Sequence, residues 1–295
     1  MIKTFDIFEM SVFLFLTMVI LIITVDHIMP RECKDNQEEE FKDITLSRTT
    51  RLSKKEIEKD KAKNEAFKRD HPLKYPPEFK PVIPKIIHQT APGDRSKWHK
   101  TWGICHRTWK IFFPHKEFRH ILWTDEDLDV FMKKEYPWFY PTYQAYPKNI
   151  QRIDIARYFI LYKYGGIYAD MDFECLKNFY NELDHNKVNI AESPYKENEE
   201  LHNSMMASPA KHPFWLHVFK HGIKNRNIKH VRTSTGPILL DIAYYTYPYK
   251  GTVTILPHKY YNPHIKSAEG FNSIEVRSRH HLSSVWANPN NVLYT

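Results

Sequence analysis

Short apolar runs alternate with stretches of helical periodicity along most of the chain, and this alternation predicts an α/β fold. The apolar runs are four to eight residues long and end in polar residues, as is typical of buried strands. Between them, apolar side chains recur every three or four residues, as on one face of a helix. Strands are therefore predicted at 83–90, 118–123, 167–169, 188–192 and 253–257, and helices at 98–110, 125–134, 149–164, 212–224 and 237–245.

The segment 149–164 carries the helical pattern that bears most on function. Its apolar side chains, from Ile150 to Ile160, are spaced to face the core. Asp154 and Arg157 lie three residues apart on an adjacent stripe, where they could form an ordinary surface ion pair. The alternative is that the stripe faces a ligand pocket, since the helix runs directly into the acidic segment that follows.

That segment is a glycine turn, a short apolar strand and two acids. Gly165 and Gly166 form the turn, and Asp170 and Asp172 follow the strand. Side chains two positions apart leave a strand on the same face, so the two carboxylates can reach one point. Hard divalent ions prefer oxygen ligands, and Mg²⁺ or Mn²⁺ is usually held by one or two carboxylates with substrate phosphates. The pattern indicates a metal that holds a diphosphate, and the alternative is a solvated strand end.

The N-terminal region predicts a membrane anchor. Residues 10–25 carry no charge and are mostly aliphatic, which approaches the length that spans a bilayer. The rival interpretation is a cleaved signal peptide, but no small-residue cleavage site follows. We therefore expect three parts: an anchor at 1–30, a charged stalk at 31–80 and a globular domain at 81–295. Since most of the chain follows the anchor, we expect a short cytosolic tail and a lumenal body. The protein would then be a single-pass protein of the endoplasmic reticulum or Golgi.

The composition limits the classes of molecule that the domain is expected to bind. Of 295 residues, 42% are hydrophobic and 15% aromatic, which is enough for a large core, and the net charge is +8. A basic surface suits anionic lipid head groups or phosphorylated small molecules. Nucleic acid is not expected, because no basic run resembles a nucleic-acid module. The three cysteines, Cys33, Cys105 and Cys175, are too few for a disulfide framework, although a bridge between the last two would be compatible with an oxidising lumen.

Several motifs together resemble a known family. They are Ile83-Pro84-Lys85-Ile86-Ile87-His88-Gln89-Thr90, the run from Arg152 through Asp154, Arg157 and Gly165-Gly166 to Asp170 and Asp172, then Thr235-Gly236-Pro237, and His280-His281 with Trp286. The chain resembles the glycosyltransferases with a DXD sugar-binding region (family 32), which include Och1-type and inositol-phosphoceramide mannosyltransferases. Two departures are the residues 90–92, where many members have an aromatic, and Val285, where a serine often stands.

The resemblance implies a GT-A fold, a single nucleotide-binding domain with a central mixed sheet. It also implies retaining transfer from a nucleotide-sugar with Mn²⁺ or Mg²⁺ as cofactor. Asp172 would bind the metal directly, Asp170 would reach the ribose, sugar or metal, and His281 is the candidate for a further metal contact. The candidate catalytic residues are Asp154, Arg157, Asp170 and Asp172. The residues expected around the donor are His88, Gln89, Thr90, Asp154, Arg157, Gly166, Tyr168, Asn203, Thr235, Gly236, His281 and Trp286.

The function expected is transfer of mannose from GDP-mannose to a glycan or to a glycolipid such as inositol-phosphoceramide. Users of UDP-galactose or UDP-GlcNAc share the same core, so the donor stays open at this point. A second class is a relative that binds sugar or lipid without turnover. A third is a metal-dependent phosphotransferase or nuclease, which should show further carboxylates beside the pair. Glu174 is the near candidate for such a carboxylate.

Overall fold

A six-stranded mixed sheet forms the centre of the fold in this computed structural model, which describes Lys68 and residues 72–283. The strands of this sheet are β1 Ile86–Thr90, β2 Arg119–Trp123, β3 Gly166–Ala169, β5 Val188–Glu192, β6 Leu201–Ser208 and β7 Val253–Leu256. A separate two-stranded ribbon is formed by β4 Phe173–Cys175 and β8 Ser278–His280. The order across the sheet is β2-β1-β3-β6-β5-β7. The mixed α/β sheet expected from the sequence is confirmed.

The direction of the strands defines one functional edge of the sheet. β1 lies parallel to β2 and β3, and β5 lies parallel to β7. β6 is antiparallel to both β3 and β5, which places all the other strands in one direction. Their carboxyl ends therefore meet at a single edge, where ligands bind in open α/β sheets. β6 begins at that same edge.

Helices cover both faces of the sheet and bury two apolar clusters. The helices are α1 Trp102–Phe112, α2 Asp125–Glu135, α3 Tyr140–Ala145, α4 Asn149–Tyr164, α5 Pro213–Lys224, α6 Val231–Ser234, α7 Pro237–Thr246, α8 His258–Tyr261 and α9 Ala268–Phe271. In β3, Tyr168 packs with α4 and α5 on one face, whereas Ile167 and Ala169 pack with α1 on the other. The alternation follows from the two-residue period of a strand. Helix α4 buries nine of its sixteen residues, so it is a core helix.

The glycine turn between α4 and β3 needs both of its glycines. Gly165 has φ +63° and Gly166 has φ +94°, a region that side chains rarely adopt. A Cβ at Gly165 would lie 2.6 Å from the main-chain nitrogen of Ala210, and one at Gly166 would lie 2.5 Å from the carbonyl oxygen of Ile86. The turn thus lets the end of α4 pass closely against β1 and delivers β3 to the centre of the sheet.

Some local predictions are confirmed and others are corrected. The helix predicted at 125–134 is present as α2, and Thr124 and Asp127 form a capping box at its start. The stretch around Asn203, where no strand was predicted, is the eight-residue strand β6. Helix α3 was not predicted. Cys105 and Cys175 are both buried as free thiols, so the bridge between them is absent.

The N-terminal predictions fall largely on residues outside the described part of the chain. These include the anchor at 1–30 and most of the stalk. Among the described residues, no helix has the length and apolar character needed to cross a bilayer. The last stalk residues do contact the domain: the rings of Tyr75 and Phe79 stack at 4.1 Å, and both meet the ring of His212 edge-on at 5.9 Å.

Candidate active site

Three side chains that could share a metal ion meet just beyond the end of β3. Asp170, Asp172 and His280 each offer a ligand atom, and these atoms all lie within 4.8 Å of one another. Asp170 follows β3 directly, and its amide donates to the carbonyl of Ser204 at 2.8 Å. His280 is brought in by the antiparallel ribbon, where it pairs with Phe173. Two segments that are remote in sequence therefore complete one cluster.

Asp172 is held in a single orientation by its partners. Its Oδ2 accepts hydrogen bonds from the amide and the hydroxyl of Ser283, at 2.9 and 2.7 Å. Its Oδ1 lies 3.1 Å from Nε2 of His280. Burial raises the pKa of Asp172, but the charge of His280 and the hydrogen bonds outweigh it and hold the pKa well below the ordinary value. The carboxylate is therefore ionised and fixed in place.

Asp170 is the more accessible of the two acids, with 24% of its side chain exposed. The Tyr168 hydroxyl donates to its Oδ1 at 2.8 Å and in turn accepts from the Thr90 hydroxyl at 2.8 Å. Arg157 Nη1 lies 3.3 Å from its Oδ2. Burial raises the pKa of Asp170, while the charge of Arg157 opposes that rise. The strand, the tyrosine and the arginine thus aim this carboxylate at the cluster.

Arg157 is buried between two acids and is not part of a surface pair. Its Nη2 lies 2.9 Å from Asp154 Oδ1, and the exposed fractions of the two side chains are 3% and 8%. Its Nη1 donates to the carbonyl of Asn203 at 2.8 Å as well as reaching Asp170. The guanidinium also lies 4.7 Å from the centre of the Tyr168 ring. A planar fork suits such a position, because several donors point at fixed acceptors.

Asp154 accepts hydrogen bonds from polar residues of β6 and of the turn between α6 and α7. Its carboxylate accepts from the Asn203 amide at 3.2 Å and from the Thr235 hydroxyl at 3.5 Å. Burial raises the pKa of Asp154 to about 6, and Arg157 opposes the rise. Gly236 lies close as well, since a Cβ there would come 3.4 Å from Asp154 Oδ2. Three of the predicted donor-binding residues, Asn203, Thr235 and Gly236, therefore surround Asp154 of the buried ion pair.

The donor set fits a hard or borderline divalent ion. Two carboxylates and one imidazole are ligands that Mn²⁺ and Mg²⁺ sites draw on, although Mg²⁺ prefers oxygen alone. His280 Nε2 and Asp172 Oδ1 lie 3.1 Å apart, within hydrogen-bond distance, so the imidazole would have to give up its shared proton to bind a metal. Asp170, Asp172 and His280 are thus the residues that would hold the metal.

Comparison with known proteins places this cluster within a family. Residues 103–193 match the family model for the glycosyltransferase sugar-binding region containing a DXD motif, a span that includes Arg157 and both acids. Mannosyl phosphorylinositol ceramide synthase SUR1 of Saccharomyces cerevisiae is 36% identical over 217 residues, which cover 68% of this chain and 52% of that protein. The chain carries the glycosyltransferase sugar-binding region that contains a DXD motif. The resemblance inferred from the sequence is confirmed.

Other relatives agree with this family. Inositol phosphoceramide mannosyltransferase 3 of Schizosaccharomyces pombe is 37% identical over 170 residues, covering 55% of this chain and 45% of that protein. The chain spans about half the length of the curated relatives that it matches. Among solved structures, the PaToxG glycosyltransferase is similar, with a TM-score of 0.43, 19% identity and coverage of 63% of this chain and 74% of that one.

Two residues of β1 that were predicted to meet the donor, His88 and Gln89, are buried beside the strand that leads to the two acids. His88 Nδ1 accepts from the Trp123 indole at 3.1 Å, so the proton is on Nε2, which donates to the Gly165 carbonyl at 3.0 Å. Burial lowers the pKa of His88 to about 4. Gln89 is also buried, and its Oε1 accepts from His106 at 2.7 Å. Both side chains support the glycine turn and the strand ends.

The two adjacent histidines contact different acids. His281, predicted as the metal contact, lies 2.7 Å from Glu174 Oε2, and its backbone amide donates to the Asp172 carbonyl. His280 is the histidine beside Asp172. Arg279 also pairs with Glu174 at 2.7 Å. Trp286, the remaining predicted residue, lies outside the described residues.

Sequence reasoning missed the residues that orient Asp172. Ser283 was not singled out, although it makes two hydrogen bonds to that carboxylate. Trp102 supports Ser283 through a 3.1 Å bond from its indole nitrogen. The sequence gives only a weak indication of this role, which is a serine three residues after His280. The role of Ser283 becomes visible when the ribbon of β4 and β8 places it beside Asp172. Trp102 lies in the segment predicted as a helix at 98–110, but nothing in the sequence marked it as a partner of Ser283.

Proposed function

We propose that this chain is a membrane-anchored, divalent-metal-dependent retaining glycosyltransferase of the GT-A type. In this proposal it moves mannose from GDP-mannose to a glycolipid of the inositol-phosphoceramide class or to a glycan. The single observation that carries the proposal is the convergence of Asp170, Asp172 and His280 within 4.8 Å, beside the buried Arg157. The names of the yeast relatives support mannose as the sugar and inositol phosphoceramide as the acceptor.

The leaving group of such a reaction is a nucleoside diphosphate, on which negative charge grows. A bound divalent ion offsets that charge where it develops. The chain's own task is to hold the ion's ligands rigidly. Ser283 fixes Asp172, and Tyr168 with Arg157 fixes Asp170. Preorganised groups need no rearrangement during the reaction, which is the main source of electrostatic catalysis.

The geometry favours a positioning role for Arg157. Its side chain is 3% exposed, and its two terminal nitrogens are engaged by Asp154, Asp170 and the Asn203 carbonyl. Asp154 balances the buried charge, which would otherwise be strongly unfavourable. We infer that the pair keeps Asp170 aimed at the donor, and that contacts with the diphosphate come chiefly through the metal.

One alternative function is opposed by the geometry of the site, and another needs a direct test. A two-metal phosphotransferase would need Glu174 near the acids, yet Glu174 is held by Arg279 and His281. A transferase that uses UDP-galactose or UDP-GlcNAc has the same core requirements, so the donor must be tested directly. The proposed location is the lumen of the Golgi or endoplasmic reticulum, with the apolar segment at 10–25 as the anchor.

The deciding experiment presents the full chain with GDP-mannose, UDP-galactose and UDP-GlcNAc in turn, with Mn²⁺ or with a chelator. Release of free nucleotide and transfer to inositol phosphoceramide or to an oligomannose glycan are both scored. Among the three donors, we expect release of free nucleotide from GDP-mannose alone, and only with Mn²⁺. An acceptor should increase the rate of this release. Release from a UDP-sugar alone would reassign the donor. Donor binding without turnover under all conditions would reject the transferase in favour of a binding protein.

A further inference from the structure

The outer face of helix α1 is an exposed stripe of aliphatic and basic side chains. Ile104 is 47% exposed and Ile111 is 56% exposed, although both are large apolar residues. Arg107 lies between them and Lys100 lies one turn before, and both are exposed. Spacings of three and four residues put Ile104, Arg107 and Ile111 on one line along α1, and Lys100 lies just before the helix begins. We refer to Lys100, Ile104, Arg107 and Ile111 as the α1 outer face.

The charge around this face is strongly one-sided. Residues 95–119 contain seven lysines and arginines and a single acid, Glu117. Glu117 lies 3.9 Å from Lys85, and Asp94 just before the stretch is bonded to Ser96. Within the described residues, Lys97, Lys100, Arg107 and Lys110 form no ion pair. A cluster of uncompensated cations attracts an anionic surface over about a Debye length.

The inner side of the same helix is joined to the active site. Trp109 is fully buried, and its indole donates to the Phe173 carbonyl at 2.7 Å. Trp102 donates to Ser283, which in turn donates to Asp172. A surface bound to the outer face is therefore separated by the thickness of α1, about 10 Å, from the residues that hold Asp172.

We propose that the α1 outer face docks on the surface of an anionic lipid bilayer. Helices that lie in a membrane interface combine aliphatic side chains with lysine and arginine, as this face does. Each cation near an anionic leaflet favours the docked state about fivefold, and the two isoleucines add burial of apolar surface. Nucleic acid is disfavoured, because the stripe offers aliphatic side chains where stacking on bases needs exposed aromatic rings.

Docking would hold the acid cluster near the membrane surface, with the thickness of α1 between them. The inference does not depend on the proposed transferase activity, because its readout is the position of α1 and not turnover. It is also distinct from the predicted N-terminal anchor, which tethers the chain without specifying which face meets the lipid.

The test uses the full chain in lipid nanodiscs with a Cys33→Ser background, in which the two buried cysteines are shielded. An environment-sensitive fluorophore is attached at Ile104→Cys or at Val130→Cys. Val130 is the matched control: it is 63% exposed on α2, which has the same length as α1 but carries five acids and two lysines. Quenching by nitroxide groups on the lipid chains reports insertion.

We expect strong quenching at position 104 and little at 130, and only when phosphatidylserine is present. Lys100→Glu combined with Arg107→Glu should reduce the docked-to-free ratio at least about tenfold, whereas Lys133→Glu with Lys134→Glu should leave it unchanged. Equal quenching at the two positions would overturn the proposal. So would quenching at 104 that is as strong in phosphatidylcholine alone, or that survives the α1 charge reversal.

Discussion

His280 lies 3.1 Å from Asp172 although the two residues are 108 positions apart in the chain. The contact exists because β8 pairs with β4 in an antiparallel ribbon, which sets His280 opposite Phe173. The next residue, His281, turns to Glu174 instead. One histidine of an adjacent pair thus belongs to the acid cluster and the other to a neighbouring ion pair.

This division gives a test with its own matched control. We expect His280→Ala to raise the Mn²⁺ concentration for half-maximal nucleotide release by at least about tenfold, because a ligand is lost. His281→Ala should change it by much less. Manganese binding measured by electron paramagnetic resonance checks affinity apart from turnover. Equal effects of the two substitutions would remove His280 from the proposed metal site.

Replacement of Asp172 should separate activity from folding. Asp172→Asn keeps an oxygen that accepts from Ser283, so we expect the melting temperature to change by only a few degrees. Nucleotide release with Mn²⁺ should fall to the background, because the amide is a poor metal ligand. Glu174→Gln is the control, since that acid stands outside the cluster. Full activity of Asp172→Asn would contradict the metal role.

Arg157 should contribute to stability as well as to activity. Arg157→Ala leaves Asp154 buried and unpaired, which costs about 3–5 kcal/mol. Arg157→Lys should cost about 1–3 kcal/mol, because one ammonium cannot reach both acids and the Asn203 carbonyl. The free energy of unfolding in urea measures both. Arg152→Lys, in the same helix, is the control and should have a smaller effect; an equal loss would show that the buried pair is not special.

The buried His88 should make stability depend on pH. Its pKa is lowered by burial from 6.5 to about 4 in the folded state, with a partial offset from the bond to Gly165. Unfolding therefore takes up a proton below pH 6.5, so the stabilisation is complete above that pH and declines as pH falls to 4.

The loss attributable to His88 is on the order of 3 kcal/mol across this window. His88→Gln should reduce the slope of the unfolding free energy against pH between 6.5 and 4 by up to one proton, while other buried histidines such as His212 keep their share of it, even though the variant is less stable at pH 7. The same slope in wild type and variant would contradict the assignment.

The boundary of the domain can be tested by two truncations. A chain that begins at residue 72 keeps Tyr75 and Phe79 stacked against His212, whereas one that begins at 81 loses both rings. We expect both to fold, with the shorter chain less stable by about 1–3 kcal/mol. Thermal melts of the two products give the difference. Identical melting temperatures would mean that the ring contacts add nothing.

The local parts of the site could be predicted from the sequence because they depend on neighbouring residues. Helix α4, the Gly165-Gly166 turn and the acids after β3 all follow from short-range periodicity and turn chemistry. The burial of Arg157 could not be predicted, because it depends on β6 closing over the helix. The choice between His280 and His281 depends on the register of two short strands, which only the folded ribbon sets.

The late position of β8 has a consequence for how the protein matures. All six strands of the main sheet precede residue 257, so a polypeptide interrupted before Ser278 holds every strand of that sheet. Such a fragment lacks His280 and Ser283, so the acid cluster would lose its histidine and Asp172 would lose the residue that orients it. Completion of the candidate metal site therefore depends on the last described strand, and we expect a bulky fusion just after Ser283 to disturb that site more than the main sheet.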